Sequence, residues 1–120
     1  MKLLWIDDEP AFLKSIEDSL QAAGHASDIF TDPHVGISAC QQNDYDVVIT
    51  DYNMPGMNGL EVLQAIQVFR PGLPVILATG NTDQDIRQEA ERQGVSTIMN
   101  KPLNLMDLLK TLTRIEDGVR

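Results

Sequence analysis

The run Val47-Val48-Ile49-Thr50 places β-branched side chains at four successive positions, ends on Asp51, and passes at once into Tyr52-Asn53-Met54-Pro55-Gly56-Met57-Asn58-Gly59. A run with no polar side to offer water fits a strand buried on both faces, and such strands belong to parallel sheets covered by helices. The Pro, Gly and Asn residues that follow turn the chain into a loop. Asp51 is thereby fixed at a strand tip. In an open α/β sheet, ligands bind beyond the carboxyl ends of the strands, where loops converge and no helix covers the edge. The function therefore depends on which other side chains reach that edge.

The rest of the chain alternates short apolar runs with helical patterns, as a parallel sheet wound with helices requires. Lys2-Leu3-Leu4-Trp5-Ile6 reads as a first strand ending on Asp7-Asp8-Glu9, and Pro10 opens a helix with apolar Phe12, Leu13, Ile16, Leu20 and Ala23, capped by Gly24. Ser27-Asp28-Ile29-Phe30 is polar enough to be a sheet edge. Asp32-Pro33 starts a second helix with Val35, Ala39 and Cys40 on one side, weakened by Gly36. After the Asp51 loop, Leu60, Val62, Leu63, Ile66 and Phe69 mark a third helix, stopped by Pro71-Gly72. Pro74-Val75-Ile76-Leu77-Ala78 is a fourth strand with Thr79-Gly80-Asn81 at its tip. Residues 83 to 93 are helical but very polar, with Ile86 and Ala90 almost their only apolar positions, so few core contacts hold this helix and it is a candidate for movement. Gly94 ends it, Val95-Ser96-Thr97-Ile98-Met99 reads as the last strand before Asn100-Lys101-Pro102, and Leu105, Leu108, Leu109, Leu112 and Ile115 give the clearest amphipathic helix.

At 120 residues the chain is one domain, with room for one core. Its apolar runs are strand-sized, so neither a transmembrane helix nor a secretory signal is expected. A single cysteine, Cys40, allows no internal disulfide and no thiolate metal cage, which fits a reducing, cytoplasmic setting. A net charge of −9 repels nucleic acid and anionic membrane surfaces, so no direct partner of either kind is expected.

About five βα units result. If the sheet is parallel, the tips of its first, third, fourth and fifth strands bring Asp7 and Asp8, Asp51, Thr79 and Lys101 to one edge. Each has a structural reading when taken alone: the acids favour a helix N-terminus, Thr79 forms a turn, and Lys101 is a solvated surface lysine. Their joint occurrence at successive tips points to function, because carboxylates crowded together repel and raise one another's pKa. Acids clustered without His or Cys suit a hard cation such as Mg²⁺ (or Mn²⁺), which also binds phosphate oxygens. A carboxylate in such a place can attack phosphorus, with a lysine neutralising charge on the transferred group and Thr79 donating to one of its oxygens.

With Asp7-Asp8, Asp51, Met54-Pro55-Gly56-Met57-Asn58-Gly59, Thr79 and Lys101-Pro102 in order, the chain resembles the receiver domain of two-component response regulators, from near residue 2 to near residue 115. The resemblance implies a flavodoxin-like, doubly wound five-stranded parallel sheet of order 2-1-3-4-5. It implies that Asp51 is the phosphoacceptor, taking its phosphoryl group from the phosphohistidine of a histidine kinase or histidine phosphotransfer protein. The domain would catalyse that transfer and the later hydrolysis without being a conventional enzyme. The side chains of Asp8 and Asp51 and the Asn53 carbonyl would bind Mg²⁺, with Asp7 acting mostly through water. Thr79 would be the switch hydroxyl, Lys101 the phosphate-pairing amine, and the Lys101-Pro102 peptide cis. Asn53 and Asn81 occupy the positions where the family tunes dephosphorylation. The family often has an aromatic ring three residues before the lysine, and here that residue is Ile98, which puts the usual threonine-aromatic coupling in doubt. Output to a domain or target protein is expected at the face of the fourth helix, fifth strand and fifth helix, within residues 83 to 115, and a phosphorylation-dependent homodimer is one form it could take. The chain reads as a stand-alone regulator or as the receiver part of something larger.

Other classes fit less well. An aspartate-nucleophile phosphatase needs a second Asp two residues after the first, where this chain has Asn53, and a flavodoxin would not meet a phosphate with Asp7-Asp8-Glu9. A receiver-like interaction module that takes no phosphate is opposed by the intact acid, threonine and lysine set. His25 and His34 lie outside the strand-tip set and read as surface or helix-end residues, Cys40 as a packed small hydrophobe, and Met54 and Met57 as packing groups around the acceptor loop. Trp5 lies two residues before the acids, so its fluorescence is expected to change on Mg²⁺ titration. A flat titration, with binding established by calorimetry, would refute that.

Overall fold

The computed structural model describes residues 1 to 80 and 84 to 118. They form β1 (Lys2–Ile6), α1 (Pro10–Ala22), β2 (Ala26–Phe30), α2 (Pro33–Gln42), β3 (Val47–Asp51), α3 (Gly59–Phe69), β4 (Val75–Thr79), α4 (Gln84–Gln93), β5 (Thr97–Asn100) and α5 (Leu105–Glu116). All strand pairs are parallel and the order is β2-β1-β3-β4-β5, the doubly wound arrangement expected from the sequence.

Strand alternation splits the core into two layers. On one face Leu3, Trp5, Val47, Ile49, Ile76, Ala78 and Met99 pack against Leu13 and Leu20 of α1 and Leu108 and Leu112 of α5. On the other, Leu4, Ile6, Val48, Val75 and Leu77 pack against Cys40 of α2, Val62, Leu63 and Ile66 of α3 and Ala90 of α4. Every residue of β3 and β4 is buried. The edge strand β2 is polar, as read, and the Tyr45 hydroxyl pins it by donating to Asp28 at 2.6 Å. That hydrogen bond and the burial of Tyr45 push its phenol well above the usual range, with burial the larger cause.

Five local expectations are corrected. The inward stripe of α2 is Pro33, Gly36 and Cys40, while Val35 is 52% exposed. Gly36 was read as a weakness, yet a Cβ there would stand 2.8 Å from the Ile6 side chain, so the missing side chain is what lets α2 lie close to β1. Phe12 is 40% exposed rather than turned into the core. β4 begins at Val75 rather than Pro74. β5 begins at Thr97, because the Val95 N–H is bonded back to the Ala90 carbonyl and still belongs to the end of α4. Asn81, and Asp83 at the expected start of the fourth helix, lie outside the described residues.

The acceptor loop returns to the sheet at Gly59, whose N–H donates to the Tyr52 carbonyl at 2.9 Å. A Cβ on Gly59 would meet Leu77 Cδ1 at 2.5 Å, the Asp51 carbonyl at 2.7 Å and Tyr52 Cα at 3.0 Å. Two of those neighbours are backbone and cannot rotate away. Gly59→Ala should therefore cost about 2 kcal/mol in urea unfolding, the ordinary penalty for overpacking. An unchanged midpoint would mean that α3 can shift off the sheet without loss.

Candidate functional site

Three carboxylates meet at the C-terminal edge. Asp7, Asp8 and Asp51 each offer an oxygen, and these atoms lie within 4.8 Å of one another, which no other group of three or more His, Cys, Asp or Glu achieves among the described residues. Neither histidine takes part. Asp7 is the first residue beyond β1 and is held at both ends: its N–H donates to the Phe30 carbonyl at 3.0 Å, and its Oδ1 accepts from the Glu9 N–H at 2.9 Å. Asp51 is the last residue of β3 and is anchored by the Tyr52 N–H, which donates to the Ala78 carbonyl at 2.8 Å. Asp7 and Asp51 are buried, whereas Asp8 faces solvent.

Lys101 crosses from β5 to these acids. Its Nζ stands 3.0 Å from Asp7 Oδ2 and 3.1 Å from Asp51 Oδ2, and its backbone N–H donates to the Thr79 carbonyl at 2.9 Å. Burial works to lower the pKa of the Lys101 ammonium, but its hydrogen bonds to Asp7 and Asp51 and their charges outweigh that and raise it. For Asp51 the balance falls the other way. Burial lifts its carboxyl above the ordinary range, the nearby Asp7 and Asp8 add to that, and Lys101 only partly opposes it.

The other expected residues are placed as follows. Thr79 ends β4 one residue past Ala78, the register partner of Asp51, and is fully buried. Asn53 is exposed in the turn after Asp51, and Met54 and Met57 pack partly buried against the core beside it. The Lys101-Pro102 peptide is cis. Ile98 is half-buried against the layer of α2, α3 and α4. Trp5 is 1% exposed, on the strand face that continues to Asp7.

Sequence reasoning missed the device that fixes the far end of the acceptor loop. Asn58 caps α3 by accepting from the Glu61 N–H at 2.9 Å, while the Glu61 side chain accepts from the Asn58 N–H at 3.0 Å. Asn-x-x-Glu before an apolar run is a legible capping-box signal. Also missed was an open bowl of about 400 Å³ beside the acids, lined by Asp7, Glu9, Phe12, Lys101, Pro102 and Leu103. No local pattern announces it, because its walls come from both ends of the chain.

An all-oxygen acidic cluster of this kind fits a hard divalent cation and offers nothing for a soft one. The arrangement can also hold a transferred anionic group against Lys101.

The chain matches the response regulator receiver domain family over residues 3 to 113. It is 30% identical over 120 residues to the sensor histidine kinase RcsC of Escherichia coli K12, covering 100% of this chain and 13% of that protein, so it spans about an eighth of that relative. The chemotaxis protein CheY4 of Vibrio cholerae superposes with a TM-score of 0.88 at 31% identity, covering 95% of this chain and 97% of that one. The receiver domain of the sensor histidine kinase PA1611 of Pseudomonas aeruginosa PAO1, described with a magnesium ion in its active-site cleft, has the same fold, with a TM-score of 0.84 at 23% identity over 96% of this chain and 97% of that one.

Because Asp51 has a higher pKa folded than unfolded, its ionisation weakens the fold. The penalty appears as pH rises from the unfolded pKa through the raised native one, and it is complete above that. In metal-free buffer Asp51→Asn should therefore raise the Tm by a few degrees at pH 7, with the gain shrinking as pH falls through the raised native pKa toward the unfolded value. A lower Tm at pH 7 would show that attraction to Lys101 outweighs burial.

Proposed function

Since this chain belongs to the response regulator receiver domain family, we propose that it is a phosphorylatable switch in which Asp51 accepts a phosphoryl group from the phosphohistidine of a histidine kinase or histidine phosphotransfer protein. The observation that carries this reading is the Lys101 ammonium held 3.0 Å from Asp7 and 3.1 Å from Asp51 within a cluster of three carboxylates. A purely structural ion pair would need one carboxylate, and the two others would only add repulsion.

The transfer breaks the donor P–N bond and forms a P–O bond to an Asp51 oxygen, leaving a neutral imidazole once the ring has its proton and an acyl phosphate on the chain. Hydrolysis later returns the carboxylate and inorganic phosphate. Lys101 starts on Asp51 and is placed to follow the new charge onto the phosphoryl oxygens. Asp7, tied to the Glu9 amide, keeps the ammonium from leaving the site. Thr79 supplies a hydroxyl from the neighbouring strand tip. Mg²⁺, or Mn²⁺ in its place, would be held by the side chains of Asp8 and Asp51 and the Asn53 carbonyl, with Asp7 acting through water, and when bound would neutralise charge on the phosphoryl group. Asn53 and Asn81 would set the rate of hydrolysis.

Phosphorylation adds about −1.5 to −2 charge and strong acceptors, which draw Thr79 and Lys101 and shift the segments they stand on. The signal would leave through α4, β5 and α5 to an output domain or target protein, or through a homodimer formed on phosphorylation. Among the described residues no helix is long and apolar enough to cross a membrane, and a cytoplasmic setting completes the proposal.

Intact mass after incubation with acetyl phosphate tests the reading. One phosphoryl adduct is expected on the parent chain with Mg²⁺, and none without Mg²⁺ or on Asp51→Asn. No adduct under any condition on folded protein would leave an interaction module that works unmodified.

A further inference from the structure

α4 is held to the domain mainly by polar contacts. Of its described side chains only Ala90 is buried. Its C-terminal end is fastened to α3, where Gln67 Nε2 donates to the Gln93 carbonyl at 2.7 Å and Gln64 Nε2 to Gln93 Oε1 at 3.1 Å. Its N-terminal half is fastened to the sheet by the Arg87 guanidinium, which donates to the Asn100 side-chain oxygen.

Asn100 sits where both responsive groups meet. It is the register partner of Thr79 and the residue immediately before Lys101, whose N–H is itself bonded to the Thr79 carbonyl. Ile98 pairs with Leu77, and two residues further along each strand come Asn100 and Thr79, so by alternation all four share the face that α4 covers. Ile98 has neither ring nor hydroxyl, so it cannot carry a polar signal across that face.

We propose that the Arg87–Asn100 hydrogen bond is the latch that couples the state of the Asp51 site to α4: it holds the helix down while Asp51 is unmodified and parts when Thr79 and Lys101 are drawn toward a phosphoryl group, letting α4 pivot on its Gln93 anchor. The latch rests on the phosphorylation reading above. Arg87 touches no reacting atom, so it is a positioning residue for the response and not a catalytic one. The coupling works because Asn100 shares its backbone with Lys101 and its ladder with Thr79. A shift of that strand end too small to disturb the buried strands is enough to spoil a directional hydrogen bond. Losing one such bond frees little energy, but with Ala90 the one buried side chain among the described residues of α4, little core packing at that end opposes the movement.

Amide hydrogen exchange over residues 84 to 93 tests this, with intact mass run on the same samples. In the parent chain, phosphorylation by acetyl phosphate with Mg²⁺ should speed exchange about fivefold, the factor expected from one net hydrogen bond. Arg87→Ala should exchange that fast before phosphorylation and change little after it. Asn100→Ala reaches the latch from the other side and should do the same. Arg92→Ala removes an arginine bonded within α4 to Glu89 and should respond like the parent chain. A full phosphorylation response in both latch variants, with the adduct confirmed by mass, overturns the latch and leaves the phosphorylation reading standing. Absence of the adduct from the parent chain overturns that reading and the latch with it.

Discussion

With Lys101 3.0 Å from Asp7 and 3.1 Å from Asp51, a single ammonium offsets repulsion among three carboxylates that the topology forces onto one edge. Take that cation away and two buried acids face each other across a short gap, where ionising both is costly. Keep it and the cluster is tolerable, though burial, with Asp7 and Asp8 adding to it, still holds the Asp51 carboxyl above its ordinary range. A site in that condition gains from any further positive charge and responds strongly to further negative charge. The chemistry proposed for it uses both properties.

That electrostatic arrangement needs a base that does not yield, and the scaffold supplies one. β3 and β4 are buried along their whole length between two apolar layers, so the strands that carry Asp51 and Thr79 cannot bend without opening the core. The acceptor loop is closed at its far end by the Asn58–Glu61 capping box and by Gly59, whose backbone passes too near Asp51 to admit a side chain. What remains free to move lies at the rim: exposed Asp8 and Asn53, and α4 with its thin hold on the sheet. The molecule is stiff under Asp51 and soft around it.

The alternation of strands and helices and most of the edge were legible because they follow from local rules, while the strand order came from the family resemblance. Val47 to Asp51 could hardly be anything but an interior strand, and once one strand tip is located, parallel topology aligns the tips of the others. The errors came where a long-range contact decides. Gly36 looked only like a weak point in α2, and the nearness of Ile6 shows that a helix packed this closely needs a residue without a side chain. Val95 looked like strand until its N–H was found bonded to Ala90. The Arg87–Asn100 bond joins residues on separate elements, and nothing in either local sequence points to the other. Phe12 fell on the apolar stripe of its helix, yet its ring is 40% exposed and lines the bowl beside Asp7 and Lys101.

The single buried side chain of α4 has a further consequence. Exposed Gln84, Asp85, Gln88, Glu91 and Arg92 make up much of that helix and lie outside the core. Substitutions at such positions ordinarily change stability by less than about 0.5 kcal/mol. Natural variation can therefore rewrite this surface almost without penalty to folding. Such a surface can drift in sequence through outward-facing changes while the carboxylates, threonine and lysine at the strand tips stay as they are.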